Sequence, residues 1–125
     1  MSPVRPLLFV VDDDRAVRDS LKFVLELEEL EVQACEVGAE LLAHERLAQA
    51  ACLVIDYQMP EMDGFELVAE LRRRSCDAPV IIITGEVTSR LRRRARALGL
   101  RHLVEKPLLD GVFLDTLHSI LKPTG

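Results

Sequence analysis

The stretch Leu53–Leu67, LVIDYQMPEMDGFEL, decides how the rest of the chain is read. An apolar run stops at Asp56, Met59-Pro60 follows, and Asp63-Gly64 precedes a second apolar pattern. Proline fixes its own φ and disfavours helix in the residue before it, so Met59-Pro60 turns the chain sharply. Asp63 suits the cap of a helix that carries Phe65, Leu67, Val68 and Leu71 at core spacing. The stretch therefore reads as a buried strand from Cys52 to Ile55, a lone carboxylate at its end, a tight loop and a helix.

The same alternation extends in both directions. Leu7 to Val11 is a continuous apolar run ending in Asp12, as expected of a strand buried on both faces. Asp14 can cap the helix that follows, with Val17, Leu21, Val24 and Leu25 inward. Val32 to Cys35 is a weak second strand, and residues Gly38 to Gln49 are predicted helical with Leu41, Leu42 and Leu47 inward. Beyond the third helix, Val80 to Ile83 is β-branched throughout and predicts a fourth strand. Leu91, Ala95 and Leu98 mark one face of a fourth helix that Gly99 ends. His102 to Val104 is a short fifth strand, and Leu109 to Leu121 the last helix, with Phe113, Leu117 and Ile120 inward. Pro123 to Gly125 reads as a loose tail. Strands alternating with helices in this way predict an α/β fold, a parallel sheet covered on both faces with right-handed crossovers.

Size and composition agree. The chain has 125 residues, 49% hydrophobic and 30% charged, enough for one folded domain with a core. No apolar run approaches a membrane span, and the opening MSPVRPLLFVVDDD meets acid too soon for a signal peptide, so a cytoplasmic location and no membrane contact are expected. Cys35, Cys52 and Cys76 form no CxxC pair and are expected to be plain free thiols. The net charge is −5, but Arg72, Arg73, Arg74, Arg90, Arg92, Arg93, Arg94, Arg96 and Arg101 concentrate positive charge in two short segments.

In open α/β sheets the site lies beyond the carboxyl ends of the strands. The predicted ends carry Asp12 and Asp13, Asp56, Thr84, and Glu105-Lys106-Pro107. Strand ends are commonly polar, which accounts for any one of these residues. It accounts poorly for three carboxylates aimed at one another, because like charges at close range raise each other's pKa and oppose folding. A hard divalent cation held by oxygen ligands would compensate, and magnesium, which typically takes one or two carboxylates and a phosphate, is the natural candidate. The turn at Met59-Pro60 would bring the Gln58 carbonyl towards such a metal. Lys106 and Thr84 add an ammonium and a hydroxyl, which neutralise and position a phosphoryl group. A carboxylate is then the nucleophile, forming an aspartyl phosphate. Asp12 and Asp13 sit together and suit the metal; Asp56 stands alone and is the expected acceptor.

VVDDD (Val10–Asp14), DYQMPEMDG (Asp56–Gly64), IIITG (Ile81–Gly85) and EKP (Glu105–Pro107), in this order and spacing, resemble the receiver domain of bacterial two-component response regulators across essentially the whole chain. VVDDDRAVRDSL looks most like receivers of nitrogen-fixation regulators. The resemblance implies a doubly wound, flavodoxin-like fold of five parallel strands in order 2-1-3-4-5 with five helices, a receiver domain over residues 1–122, and a tail or the start of a linker at 123–125. It implies that Asp56 accepts a phosphoryl group from a sensor histidine kinase or phosphotransfer protein. Asp13 would bind magnesium or manganese directly, Asp12 mainly through water, and Gln58 through its backbone carbonyl, with Asp56 completing the metal set. Thr84 and Lys106 would grip the phosphoryl oxygens, and the bond before Pro107 would be cis. The domain would catalyse only its own phosphotransfer and slow dephosphorylation. Phosphorylation would switch the face made by the fourth helix, fifth strand and last helix, where such domains meet an output domain, a protein partner or a second copy. DNA would be reached only through an effector domain, which the sequence after Leu121 does not contain. A single-domain relay or sink for phosphate is the alternative.

Leu103 stands where the family usually has an aromatic that swings inward as the Thr84 loop closes, so an aromatic gate is missing. Gln58 and Glu86 occupy positions that tune phosphoryl lifetime in the family. A nucleotide binder would want a glycine-rich first loop instead of Asp12-Asp13-Asp14, and a haloacid-dehalogenase-type phosphatase a second aspartate where Gln58 stands. The arginines of the fourth helix are expected on its outer face, either simply solvated or favouring an acidic partner. No helix-turn-helix accompanies them to argue for direct DNA binding. His44, His102 and His118 are scattered and expected in surface or packing roles. Tyr57 is expected to pack or line the rim of the site, and Met59 and Met62 to pack the turn.

Overall fold

The computed structural model describes residues 5–108 and 111–122. The strands are β1 (Leu7–Val11), β2 (Glu31–Cys35), β3 (Ala50–Asp56), β4 (Val80–Thr84) and β5 (His102–Glu105). The helices are α1 (Arg15–Leu27), α2 (Gly38–Leu42), α3 (Gly64–Arg73), α4 (Ser89–Ala97) and α5 (Val112–Leu121), with a single 3-10 turn at Leu47–Gln49. The sheet is parallel throughout, in the order β2-β1-β3-β4-β5.

Alternation along β1 sorts the core into two layers. Leu7, Phe9 and Val11 pack with Leu41, Phe65, Leu67, Leu71 and Leu91 from α2, α3 and α4. Leu8 and Val10 face the other way, onto Leu21, Leu25, Phe113 and Leu117 from α1 and α5. Both layers draw on the central strands, which is why β1 is apolar throughout and β4 is apolar from Val80 to Ile83. The side chains that are fully buried, such as Phe9, Leu8, Leu25 and Leu41, contribute about 1.5–3 kcal/mol each relative to exposure.

Local chemistry sets the helix starts. The Asp14 carboxylate accepts from the Ala16 amide at 2.9 Å. Asp63 and Glu66 form a reciprocal capping box, with Asp63 Oδ1 accepting from the Glu66 amide at 2.8 Å and Glu66 Oε1 from the Asp63 amide at 2.9 Å. The Thr88 hydroxyl accepts from the Leu91 amide and starts α4. Gly99, at φ 73°, leaves that helix in the left-handed region open to glycine.

Three expectations need correction. The helix predicted over Gly38–Gln49 ends at Leu42. His44 Nδ1 accepts from the Arg46 amide, the His44 ring stands edge-on to Phe9 at 4.8 Å, and Arg46 makes a two-pronged ion pair with Glu31 of β2 at 2.5 and 3.1 Å. These tertiary contacts replace the helical bonds of a longer α2. Val24 is not inward: it is 38% exposed, at the edge of a groove between α1 and α5. Among the described residues the last helix begins at Val112; Leu109 and the tail 123–125 lie outside them. The cysteines are free, and burial raises the Cys35 thiol to about 11 and the Cys52 thiol to about 12, far from thiolate chemistry at neutral pH.

Candidate functional site

The chain runs from β1 to β2 on one side and returns to β3 on the other, so strand order reverses between β1 and β3. Their register pairs Val11 with Ile55, which puts Asp12 and Asp56 side by side at the strand ends. Ile83 pairs with Asp56, and Thr84 with Glu105. Register alone therefore gathers the residues that the sequence scatters over nearly a hundred positions.

One carboxylate oxygen from each of Asp12, Asp13 and Asp56 lies within 4.8 Å of the other two. Asp12 is fully buried, Asp56 is 4% exposed, and Asp13 opens to solvent. The β1–α1 turn is tied down from three sides. The Asp12 amide donates to the Cys35 carbonyl at 3.1 Å, the Asp14 amide to Asp12 Oδ1 at 2.9 Å, and Arg18 Nη1 to the Asp12 carbonyl at 2.8 Å. Lys106 Nζ lies 3.2 Å from Asp12 Oδ2 and 3.3 Å from Asp56 Oδ1. The Lys106 amide donates to the Thr84 carbonyl at 2.7 Å, and the Lys106–Pro107 bond is cis, as the resemblance implied.

One ammonium thus pairs with two of the three clustered carboxylates. Burial pushes the Asp56 carboxyl up, and the neighbouring Asp12 charge pushes it further; Lys106 only partly offsets them, and the group settles at about 6. Lys106 itself is pushed down by burial, but Asp56 and Asp12 outweigh that and hold its ammonium above the ordinary range. Asp12 Oδ2 is buried without a hydrogen bond of good geometry. An all-oxygen set whose negative charge exceeds what Lys106 can neutralise fits a hard divalent ion such as magnesium.

The Thr84 hydroxyl is engaged within its own loop. It donates to the Glu86 carbonyl at 3.2 Å and accepts from the Glu86 amide at 3.4 Å, turned along its own loop. Glu105 Oε2 braces that loop by accepting from the Val87 amide. Gln58 is exposed on a ridge between two grooves. One, of about 590 Å³, is bordered by Thr84, Glu86 and Arg90; the other, of about 450 Å³, by Asp13, Pro60 and Asp63. Tyr57 shares that ridge and packs against Phe65 at 5.2 Å. Leu103 packs against the core layer that α4 covers.

Sequence reasoning missed three features. Arg18 was not singled out, although it lies one turn beyond Asp14, within reach of the β1–α1 turn. Arg94, expected on the outer face of α4, is half-buried and points towards α3. Its position three residues after Leu91, flanking the buried stripe, was the available signal. Phe23 and Leu27, 66% and 68% exposed, lie on the outer surface of α1 one turn apart.

Residues 8–118 match the response regulator receiver domain family. The chain belongs to that family. Transcriptional regulatory protein FixJ of Azorhizobium caulinodans is 36% identical over 112 residues, 90% of this chain and 53% of that protein. The C4-dicarboxylate transport transcriptional regulatory protein DctR of Rhodobacter capsulatus is 34% identical over 114 residues, 90% of this chain and 58% of that protein. This receiver thus spans about half the length of the curated relatives it matches. The Vibrio cholerae chemotaxis protein CheY4 superposes with a TM-score of 0.87 at 28% identity, covering 94% of this receiver and 100% of that chain. Receivers are regulatory domains of two-component systems and bind magnesium in an acidic pocket, and in this chain Asp12, Asp13 and Asp56 lie close together. Among the described residues, no helix is long and apolar enough to cross a membrane.

Proposed function

We propose that this receiver accepts a phosphoryl group on Asp56 and uses it to switch the face formed by α4, β5 and α5. The reading rests above all on Asp56 itself, a nearly buried carboxylate held between the Lys106 ammonium and two further acids at the β1/β3 switch point. An Asp56 oxygen attacks the phosphorus of a phosphohistidine on a sensor kinase or phosphotransfer protein. The P–N bond breaks, its electron pair stays on the imidazole nitrogen, and an acyl phosphate forms. Water attack on phosphorus later restores the carboxylate and releases phosphate. Asp12, Asp13, Asp56 and the Gln58 carbonyl would hold magnesium or manganese, which when bound neutralises charge on the phosphoryl oxygens.

Lys106, beside Asp12 and Asp56, would face one phosphoryl oxygen. The Thr84 hydroxyl would leave the Glu86 carbonyl to reach another, and that rotation moves the loop entering α4. The added charge thus becomes a displacement of α4. The groove of about 470 Å³ between α1 and α5 runs from Val24 to Lys106, which supports docking of a donor helix there with its phosphohistidine over Asp56. A second copy, an acidic protein partner or an output domain would read the switched face, in the cytoplasm; DNA would be reached only through such an output domain. Leu103 favours a second reading. Packed into the core layer, it supplies no aromatic gate, as would suit a domain that only relays or drains phosphate.

Incubation with acetyl phosphate and magnesium should add one phosphoryl group to the wild-type protein and none to Asp56→Ala. Labelling that survives the substitution unchanged would remove Asp56 from the role.

A further inference from the structure

Of the five arginines between residues 90 and 96, four are exposed; Arg94 is not. Its Nη1 donates to the Tyr57 hydroxyl at 3.2 Å, its Nη2 lies 3.8 Å from Asp63 Oδ2, and its guanidinium carbon sits 4.9 Å from the centre of the Phe65 ring. Tyr57 is the first residue after β3, and Asp63 the last before α3. One guanidinium therefore holds both ends of the loop that carries Gln58. Backbone bonds fix the same two ends: the Tyr57 amide donates to the Ile83 carbonyl and the Gly64 amide to the Tyr57 carbonyl, both at 2.8 Å. Among the described residues, Arg94 makes every side-chain hydrogen bond and ion pair that joins α4 to this segment.

We propose that Arg94 is a positioning residue that couples α4 to the metal-bearing loop through Tyr57 and Asp63, in the place where an aromatic at position 103 would otherwise report on the site. The inference rests on the reading of Asp56 as acceptor and Gln58 as metal ligand. Its physical content is reciprocity: if displacement of α4 changes the Arg94 contacts, the state of those contacts changes the site by the same factor. The bistable element is α4, entered through the Thr84 loop that a phosphoryl group would draw inward. A guanidinium suits the task because its planar fork serves two acceptors at once while stacking on a ring.

The test is magnesium affinity, by titration calorimetry on the whole chain, with backbone NMR of α4 before and after beryllofluoride. Arg94→Met keeps an unbranched stem over Phe65 and removes the fork; Tyr57→Phe removes a single oxygen. Arg94→Met should weaken magnesium binding about fivefold, the low end of ordinary coupling between sites, and suppress the beryllofluoride-induced shifts in α4. Tyr57→Phe should lose part of the same effect, and the double variant should lose no more than Arg94→Met, because both remove one interaction. Additive losses, or a wild-type α4 response in Arg94→Met, would overturn the proposal. If Arg94→Met fails to fold, a wild-type response in Tyr57→Phe overturns it equally. A wild-type protein that takes up neither magnesium nor beryllofluoride would instead refute the reading of Asp56.

Discussion

Asp56→Asn should stabilise the protein at neutral pH while abolishing its proposed chemistry. The substitution keeps the shape of the side chain and removes its charge. Asp56 is 4% exposed, and its carboxyl is raised from 3.8 to about 6 by burial and by Asp12, with the attraction of Lys106 already included. A rise of two units at about 1.4 kcal/mol each corresponds to roughly 3 kcal/mol. The sign follows from proton binding. Between about pH 4 and about pH 6 the folded protein holds a proton that the unfolded chain has released, so stability present below that window is lost as pH rises through it. Asparagine has no proton to lose. Urea unfolding without magnesium should therefore give similar stabilities at about pH 4 and a variant more stable by roughly 3 kcal/mol at about pH 8. Saturating magnesium should narrow the gap by stabilising the wild type through mass action. A variant less stable than wild type at neutral pH, or one with the same pH slope between 4 and 6, would refute the electrostatic account of the site.

Phosphorylation by acetyl phosphate should accelerate as pH rises through about 6, because only the ionised Asp56 carboxylate is nucleophilic. Raising magnesium should move that step to lower pH; an initial rate indifferent to both would contradict it. Lys106→Met leaves Asp12 and Asp56 facing each other without their cation, and urea unfolding at neutral pH should register a loss of about 3 kcal/mol. Gly64→Ala would put a Cβ 2.8 Å from the Asp56 carbonyl oxygen and 3.1 Å from Tyr57 Cα. The start of α3 must then move off the acceptor strand at a cost of about 1–3 kcal/mol, visible as a lower urea midpoint; an unchanged midpoint would show that the close approach is not needed.

The sheet was legible because its strands are buried on both faces. Leu7–Val11, Leu53–Ile55 and Val80–Ile83 carry continuous apolar runs that no surface segment would need. The acids were legible because the Asp12-Asp13 pair and Asp56 directly follow such runs. What was not legible depends on contacts between distant segments. The end of α2 is set by Arg46 meeting Glu31 and His44 meeting Phe9, which helical periodicity does not encode. Val24 lies close to the apolar stripe of α1, and only the seating of α5 decides that it faces a groove. Arg94 belongs to a run of like residues; its inward turn is visible only once Tyr57, Asp63 and Phe65 are known to stand opposite. The Thr84 hydroxyl was legible as a residue at the rim but not as an orientation, since its bond to the Glu86 carbonyl is set by the path of the loop after β4.

The central claim is that one carboxylate at this rim is the residue esterified, and that a divalent ion makes the reaction possible. The direct measurement is borohydride reduction of the protein after exposure to acetyl phosphate, followed by peptide mass mapping, with and without magnesium. The account predicts reductive conversion at Asp56 alone, in the magnesium sample alone. Conversion at Asp12 or Asp13, or equal conversion after chelation of all metal, would contradict it.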